Sequence, residues 1–177
     1  MKQFRQHCTQ LMLRLLLSEI LCLILAFSFA LLGSALPLRI AGILCGITAH
    51  VLLTGSAALK AAADDLKLYR QTGFRQPVGK PVLLAIISVI PAYLLYLLLW
   101  LMQNSIPFQN AFLLLNAPFI GIDRLLFADC EPFAAVPRLR QILTGIPPLL
   151  TAAAVLAGYL LKYSREIAAH NARTSRA

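Results

Sequence analysis

LLLSEILCLILAFSFALL, residues 15–32, reads as a helix dissolved in lipid that carries a single carboxylate, Glu19. A hydrocarbon layer about 30 Å thick is crossed by roughly 20 mostly apolar residues in an α-helix, and with the four residues before it this stretch is long enough. Three further stretches match it, which puts the expected crossings at about Leu11 to Leu32, Ile40 to Ala63, Val82 to Met102 and Ile142 to Leu161. The composition agrees: 59% of the 177 residues are hydrophobic, 13% are charged and the mean hydropathy is +0.76, against about 45–50% apolar content in an ordinary soluble domain. Little chain is left for a soluble part. The expected fold is all-α, a polytopic membrane protein whose residues 1–177 form one four-helix domain.

The net charge of +9 takes its meaning from where the basic residues fall. Twelve of the sixteen lie on one side of the four stretches: Lys2, Arg5, Arg14, Lys60, Lys67, Arg70, Arg75, Lys80, Lys162, Arg165, Arg173 and Arg176. Arg39, Arg124, Arg138 and Arg140 lie on the other. Lys and Arg concentrate on the cytoplasmic side of membrane proteins, so both termini are expected in the cytoplasm. No basic run is interleaved with base-stacking aromatics, which argues against nucleic acid as a partner. Trp100, Tyr159 and Tyr163 fall near the expected membrane interfaces, as an aromatic belt would. A cleaved signal peptide is the rival reading of the first stretch, since a basic leader precedes it and "LLGSALP" follows. Its length and Glu19 favour an uncleaved helix.

The outer connection, residues 103–141, contains an apolar patch from Ala111 to Ile122, interrupted by Asn116 and Pro118. Twelve residues suit a re-entrant or interfacial segment better than a crossing, and a fifth crossing would carry the C-terminal basic residues outside. Asp123, Asp129 and Glu131 read as solvated acids near the headgroups; a divalent-cation site there lacks the spacing of a calcium loop. Cys130 is the one expected external thiol, so no external intramolecular disulfide is expected.

Helices in lipid associate through small residues that let backbones approach. Every fourth residue of the first stretch gives Ser18, Cys22, Ala26, Ala30 and Ser34; of the second, Gly42, Gly46, His50, Thr54 and Ala58, including the GxxxG run "GILCG". With a short link between them, the two ridges are expected to meet in an antiparallel hairpin. Equal distances from the hairpin tip bring Glu19 level with Thr54 and one helical turn from His50. Three roles for the polar set Glu19, His50 and Thr54 remain open at this point: interhelical hydrogen bonding, a titrating Glu–His pair for protons or a ligand, and catalysis. Pro91 is expected to kink the third helix, and Ala154 with Gly158 forms a further small contact face. Asp64, Asp65, Lys67 and Tyr69 fall at short helical spacings that favour local pairing, with Lys67, Arg70, Arg75 and Lys80 exposed towards lipid headgroups or a soluble partner.

The link "DDLKLYRQTGFR" (64–75), the proline-bearing "IISVIPAYLLYLLLWL" (86–101), the outer "LLLNAPFI" (113–120) and "LAGYLLKY" (156–163) together resemble a group of small four-span integral membrane proteins of Gram-positive bacteria. The resemblance implies no activity and no functional residue. HExxH, G-x-S-x-G, a phosphate-binding glycine loop and paired intramembrane aspartates are all lacking from the sequence. The expected function is therefore non-enzymatic, without metal or cofactor: an accessory or partner-binding subunit acting through helix packing in the lipid bilayer, with another membrane protein or a second copy as partner. A small, oligomeric proton or solute carrier is the alternative.

Overall fold

The structure, a computed structural model, describes residues 2–33, 35–73, 79–126 and 132–174. Among these residues seven α-helices run in chain order: α1 (Lys2–Leu32), α2 (Leu36–Thr72), α3 (Gly79–Leu101), α4 (Ile106–Leu115), α5 (Ile120–Leu126), α6 (Arg138–Leu143) and α7 (Leu149–Thr174). Short 3₁₀ turns lie at Ala117–Phe119 and Phe133–Ala135, and no strand occurs among the described residues. Among the described residues three helices are long and apolar enough to cross a membrane, α1, α2 and α3. Where a fourth such helix is expected over 142–161, the chain instead makes successive turns until Leu149, and α7 meets charged residues from Lys162 onwards. Pro147 and Pro148 account for the late start, since neither supplies a helical N–H.

The burial pattern is that of a chain solvated by lipid. Along α1 the exposed residues include Leu16, Ile20, Ile24, Phe27 and Leu31, whereas Ser18 and Cys22 are buried, with Leu11 and Leu15 nearer the start of the helix. Large apolar side chains outside and small or polar ones inside invert the soluble arrangement and suit packing in hydrocarbon.

α1 and α2 form the antiparallel hairpin, and their small ridges meet. Ser18 lies against His50, and Cys22 Sγ donates to the Gly46 carbonyl at 3.3 Å. The register is one turn away from the sequence expectation: Glu19 is level with His50, not Thr54. α2 starts at Leu36, not Ile40, because Pro37 suits a first helical turn and adds that turn. At its other end α2 stops at Gly73, whose φ of +70° is open to glycine and whose N–H bonds the Tyr69 carbonyl at 2.8 Å. The 37 residues of α2 make a rod about 55 Å long, well beyond a hydrocarbon core of about 30 Å.

α7 packs on both α2 and α3. Ala154 and Gly158 face Gly55 of α2: a Cβ at Gly158 would lie 2.8 Å from the Gly55 carbonyl oxygen, so the two backbones touch only because position 158 is bare. α3 passes through Pro91 without a break in its helix, the proline sitting on the exposed face. Ser88, one turn earlier, turns its hydroxyl onto the Ala85 carbonyl at 2.7 Å.

At their ends away from the α1–α2 turn the four long helices α1, α2, α3 and α7 are tied by charged side chains, some of them buried. Asp65 of α2 is fully buried; both its oxygens accept from Lys80 Nζ of α3 at 2.6 Å, and Oδ2 also accepts the Tyr159 hydroxyl of α7 at 2.5 Å. Buried His7 of α1 reaches Asp64 at 3.4 Å. Arg70 and Lys162 both bind Glu166, at 2.5 and 2.8 Å. These contacts correct three expectations. The acids of the inner link pair between helices, with His7 and Lys80, where local pairing was expected. Lys80 is buried and no part of an exposed docking surface. Tyr159 is a core residue stacked on Tyr163 (ring centroids 5.6 Å apart), not a member of an interfacial belt. The reason is common to all three: Asp65 lies on the same helical face as Ala58, Ala61 and Ala62, which is the face α2 buries. Arg75 lies outside the described residues.

Removing one member of such a pair strands a buried charge, at a cost of about 3–5 kcal/mol. Lys80→Met is therefore expected to lower the unfolding midpoint of the detergent-solubilised protein sharply, and Asp65→Leu added to it to restore most of the loss. A double variant no more stable than Lys80→Met alone would show that the pair is not what holds these helices together.

Candidate functional site

The connection between α3 and α7 folds back onto the hairpin as a broken helix. α4 ends at Asn116 because Pro118 has no N–H and disfavours helical geometry in the residue before it. In the Asn116–Ile120 turn every backbone donor is accounted for: Asn116 N–H bonds the Phe112 carbonyl, Phe119 N–H the Asn116 carbonyl and Ile120 N–H the Ala117 carbonyl. Proline has none to place. The remaining N–H, that of buried Ala117, donates to Glu19 Oε2 at 3.1 Å. Glu19 thus acts as a cap supplied by another helix, ninety-eight residues away in sequence. Such irregular backbone is tolerated away from water only where protein satisfies it.

His50 has a different set of partners. Its Nδ1 lies 2.9 Å from Ser18 Oγ and its Nε2 2.8 Å from Thr151 Oγ1. The Ser18 hydroxyl proton is committed to the Leu15 carbonyl at 2.8 Å, so Ser18 accepts from Nδ1–H, which leaves Nε2 to accept the Thr151 proton. His50 is then neutral, and it joins α1, α2 and α7 through both ring nitrogens. Phe119 stands edge-on to its ring, centroids 5.4 Å apart. Thr54 turns its hydroxyl onto the His50 carbonyl at 2.8 Å within α2. Of the roles left open by the sequence, the Glu19–His50 pair does not form; Glu19 bonds Ala117, and His50 bonds Ser18 and Thr151. The one-turn change of register brought Glu19 level with the 116–120 turn, whose unfilled N–H is a better partner for a carboxylate than a satisfied imidazole.

Asp123 of α5, expected to be solvated, is fully buried. Its Oδ2 accepts from Asn116 Nδ2 at 2.7 Å, which clamps the two arms of the break together, while Oδ1 has no hydrogen-bond partner among the described residues. Asp129, Cys130 and Glu131 lie outside those residues. Among the described residues no three His, Cys, Asp or Glu side chains group as metal ligands would. Farther out, Phe133 and Val136 close over Leu99, Phe112 and Leu113, with Trp100 edge-on to both Tyr96 and Phe133. Tyr93 and Tyr96 of α3 donate to the Gly145 and Gln141 carbonyls and hold this cap down.

Between the hairpin and the broken helix lies a cleft of about 350 Å³. On α1 its wall is Cys22, Ala26 and Ala30, the outer half of the first small ridge. On α2 it is Gly42, Ile43 and Gly46, with Phe29 of α1 filling the space a Cβ at Gly42 would take. The third wall is Pro118, Ile120 and Gly121, where a side chain at Gly121 would overlap Ile43. Arg39 and Arg124, both exposed, line it as well. The same ridges that pack tightly at Ser18 and His50 thus part towards the hairpin tip and leave a cavity. Ser34, the last residue of the first ridge, lies outside the described residues.

No protein-family model, curated protein or solved structure matches the chain. What the fold itself defines is a class, an all-helical structure that has, among the described residues, three helices long and apolar enough to cross a membrane and a broken helix between α3 and α7 with a cleft beside it.

Sequence reading found Glu19, His50 and both ridges but missed Ser18 and Thr151 as the partners of His50, Asn116 as the partner of Asp123, and the Asp65–Lys80–Tyr159 group. The last had a local signal, the position of Asp65 on the alanine face of α2. The others arise only from contacts distant in sequence. Glu19→Gln keeps an acceptor oxygen for Ala117 and is expected to unfold close to the unmodified protein. Glu19→Leu orphans a buried N–H and is expected to lose about 1–3 kcal/mol, measured as the shift in denaturant midpoint; equal loss in both variants would refute the capping role.

Proposed function

We propose that this chain is a non-enzymatic, multi-pass protein of the bacterial cytoplasmic membrane, an accessory subunit that holds a membrane-resident molecule in the outer cleft. In this reading α7 makes the fourth crossing and both termini are cytoplasmic. Segment 106–126 enters the bilayer from the outer face and returns. The basic excess at the inner helix ends supports the orientation. The apolar first half of α7, from Leu149 to Leu161, supports the crossing, and the contact of Ala117 with mid-helix Glu19 supports the re-entry. The resemblance to small four-span proteins of Gram-positive bacteria accords with this placement.

The observation that carries the reading is the cleft. Packing of the small ridges inside the hairpin accounts for the inner halves of α1 and α2, and this removes them as a surface for another protein's helix. Their outer halves are lined with alanine and glycine around a space within the roughly 300–1,000 Å³ usual for ligand sites. A photo-cross-linking amino acid at Ala30, on the cleft wall, is expected to yield a discrete adduct in native membranes, whereas one at exposed Leu97 gives only bulk lipid. Indistinguishable products from the two positions would reject this reading.

One observation favours a second reading, a small proton or solute carrier. Asp123, buried beside the cleft with one carboxylate oxygen unpartnered among the described residues, is a better centre for it than Glu19 or His50, whose hydrogen bonds serve packing. A carrier would show flux in reconstituted vesicles that Asp123→Asn abolishes, and flux insensitive to that change would remove its support.

A further inference from the structure

We propose that His7 is an acid-released latch: uncharged, it pins the first turns of α1 against α2 and α3, and uptake of a second proton by its ring frees them.

Burial shows what the latch holds. Of residues 3–10, which precede the expected crossing from Leu11, His7 alone is buried, at 3% exposure, while Arg5, Gln6 and Thr9 face out. Phe4 and Cys8 are half-buried and lean on the cluster of Leu11, Ala58, Ala61, Ala62 and Tyr159. The imidazole is therefore the anchor of this segment. Whatever expels it lifts the first turns of α1 away from the buried charges of α2 and α3.

Hydrogen bonding shows which form of the ring fits. Nε2 lies 3.4 Å from Asp64 Oδ2, so the proton of the neutral ring belongs on that nitrogen. Nδ1 is buried without a hydrogen-bond partner among the described residues. Unprotonated, it is one unfilled acceptor. Protonated, it becomes a buried cationic N–H with no acceptor, which costs more.

The charges around the ring do not offset that cost. Asp64 of α2 stands beyond the roughly 2.7–2.9 Å of a charge-assisted bond, and its side chain is 34% exposed, so water screens its pull. Asp65, also of α2, is already matched by Lys80 of α3 and accepts the Tyr159 hydroxyl of α7. The Lys80 ammonium repels a second cation beside it. Burial first, then Lys80, hold His7 below its ordinary pKa of 6.5 against the pull of Asp65 and Asp64. In the open form the ring meets water and titrates at the ordinary value. The closed form is thus favoured above that pH and loses ground as pH falls through it.

The test follows the full chain in lipid nanodiscs by hydrogen exchange and mass spectrometry from about pH 7.5 to 5.5, one unit either side of the ordinary histidine value, with rates corrected for the intrinsic pH dependence of exchange. Protection of residues 3–10 is expected to fall by up to about tenfold over that range, the limit for one proton, while that of residues 50–60 in α2 stays constant. His7→Gln keeps an N–H for Asp64 and cannot titrate, so its protection is expected to be flat with pH whatever its absolute level. Protection in the unmodified protein that changes by less than about twofold, or that rises with acid as it would if an imidazolium gripped Asp64, overturns the inference. So does a segment already unprotected at the higher pH, or a fall that His7→Gln shares.

Discussion

The hydrogen bond from Ala117 N–H to Glu19 is the contact on which the outer half of the molecule depends. A helix interrupted by Asn-Ala-Pro frees backbone donors, and a donor buried in protein away from water must find a protein acceptor. The turn's own carbonyls take two of these donors, the Phe112 carbonyl of α4 takes a third, and a carboxylate from the first helix takes the remaining one. With that bond in place the turn lies against Gly46, and Phe119 is set against His50. An acid in the middle of an apolar helix, costly if isolated, here meets the one backbone group that requires an acceptor.

A second tie, at the other end, acts on the helices themselves. Asp65, Lys80 and Tyr159 join α2, α3 and α7 through charge-assisted bonds, and His7 with Asp64 brings in α1. Between the two ends lies the His50 junction, where one imidazole spans three helices. Without a hydrophobic drive between helices in lipid, close packing and interhelical hydrogen bonds must supply specificity, and here they are spaced along the whole length of the hairpin. The cleft is what remains where the ridges part: Gly42 and Gly46 leave room that the broken helix fills only partly.

Polar residues inside such a protein invite a functional reading, and the geometry divides them. Glu19, His50, Ser18 and Thr151 have their hydrogen-bonding capacity turned to other helices, as structural residues do. Asp123 retains an oxygen without a partner among the described residues, and Arg39 and Arg124 line the cleft.

Much was legible in the sequence because it depends on local composition and period. Runs of about twenty apolar residues mark helices that can cross a membrane, every-fourth-residue spacing shows the two ridges, and Asn116 with Pro118 announces the break. The pairing partners were not legible. A four-residue difference in where α2 begins moves Glu19 from the level of Thr54 to that of His50, and helix ends are set by turn chemistry that a hydropathy pattern does not contain. Nor does a sequence show that Asp123 is buried, that Lys80 reaches Asp65 across fifteen residues, or that the 116–120 turn folds back to the middle of α1. By itself the sequence determined the solvent, through apolar length, and the faces on which small residues lie, through helical period. Tertiary structure alone decided what each polar group bonds to, because in lipid a buried donor or charge takes the partner that depth and register bring within reach.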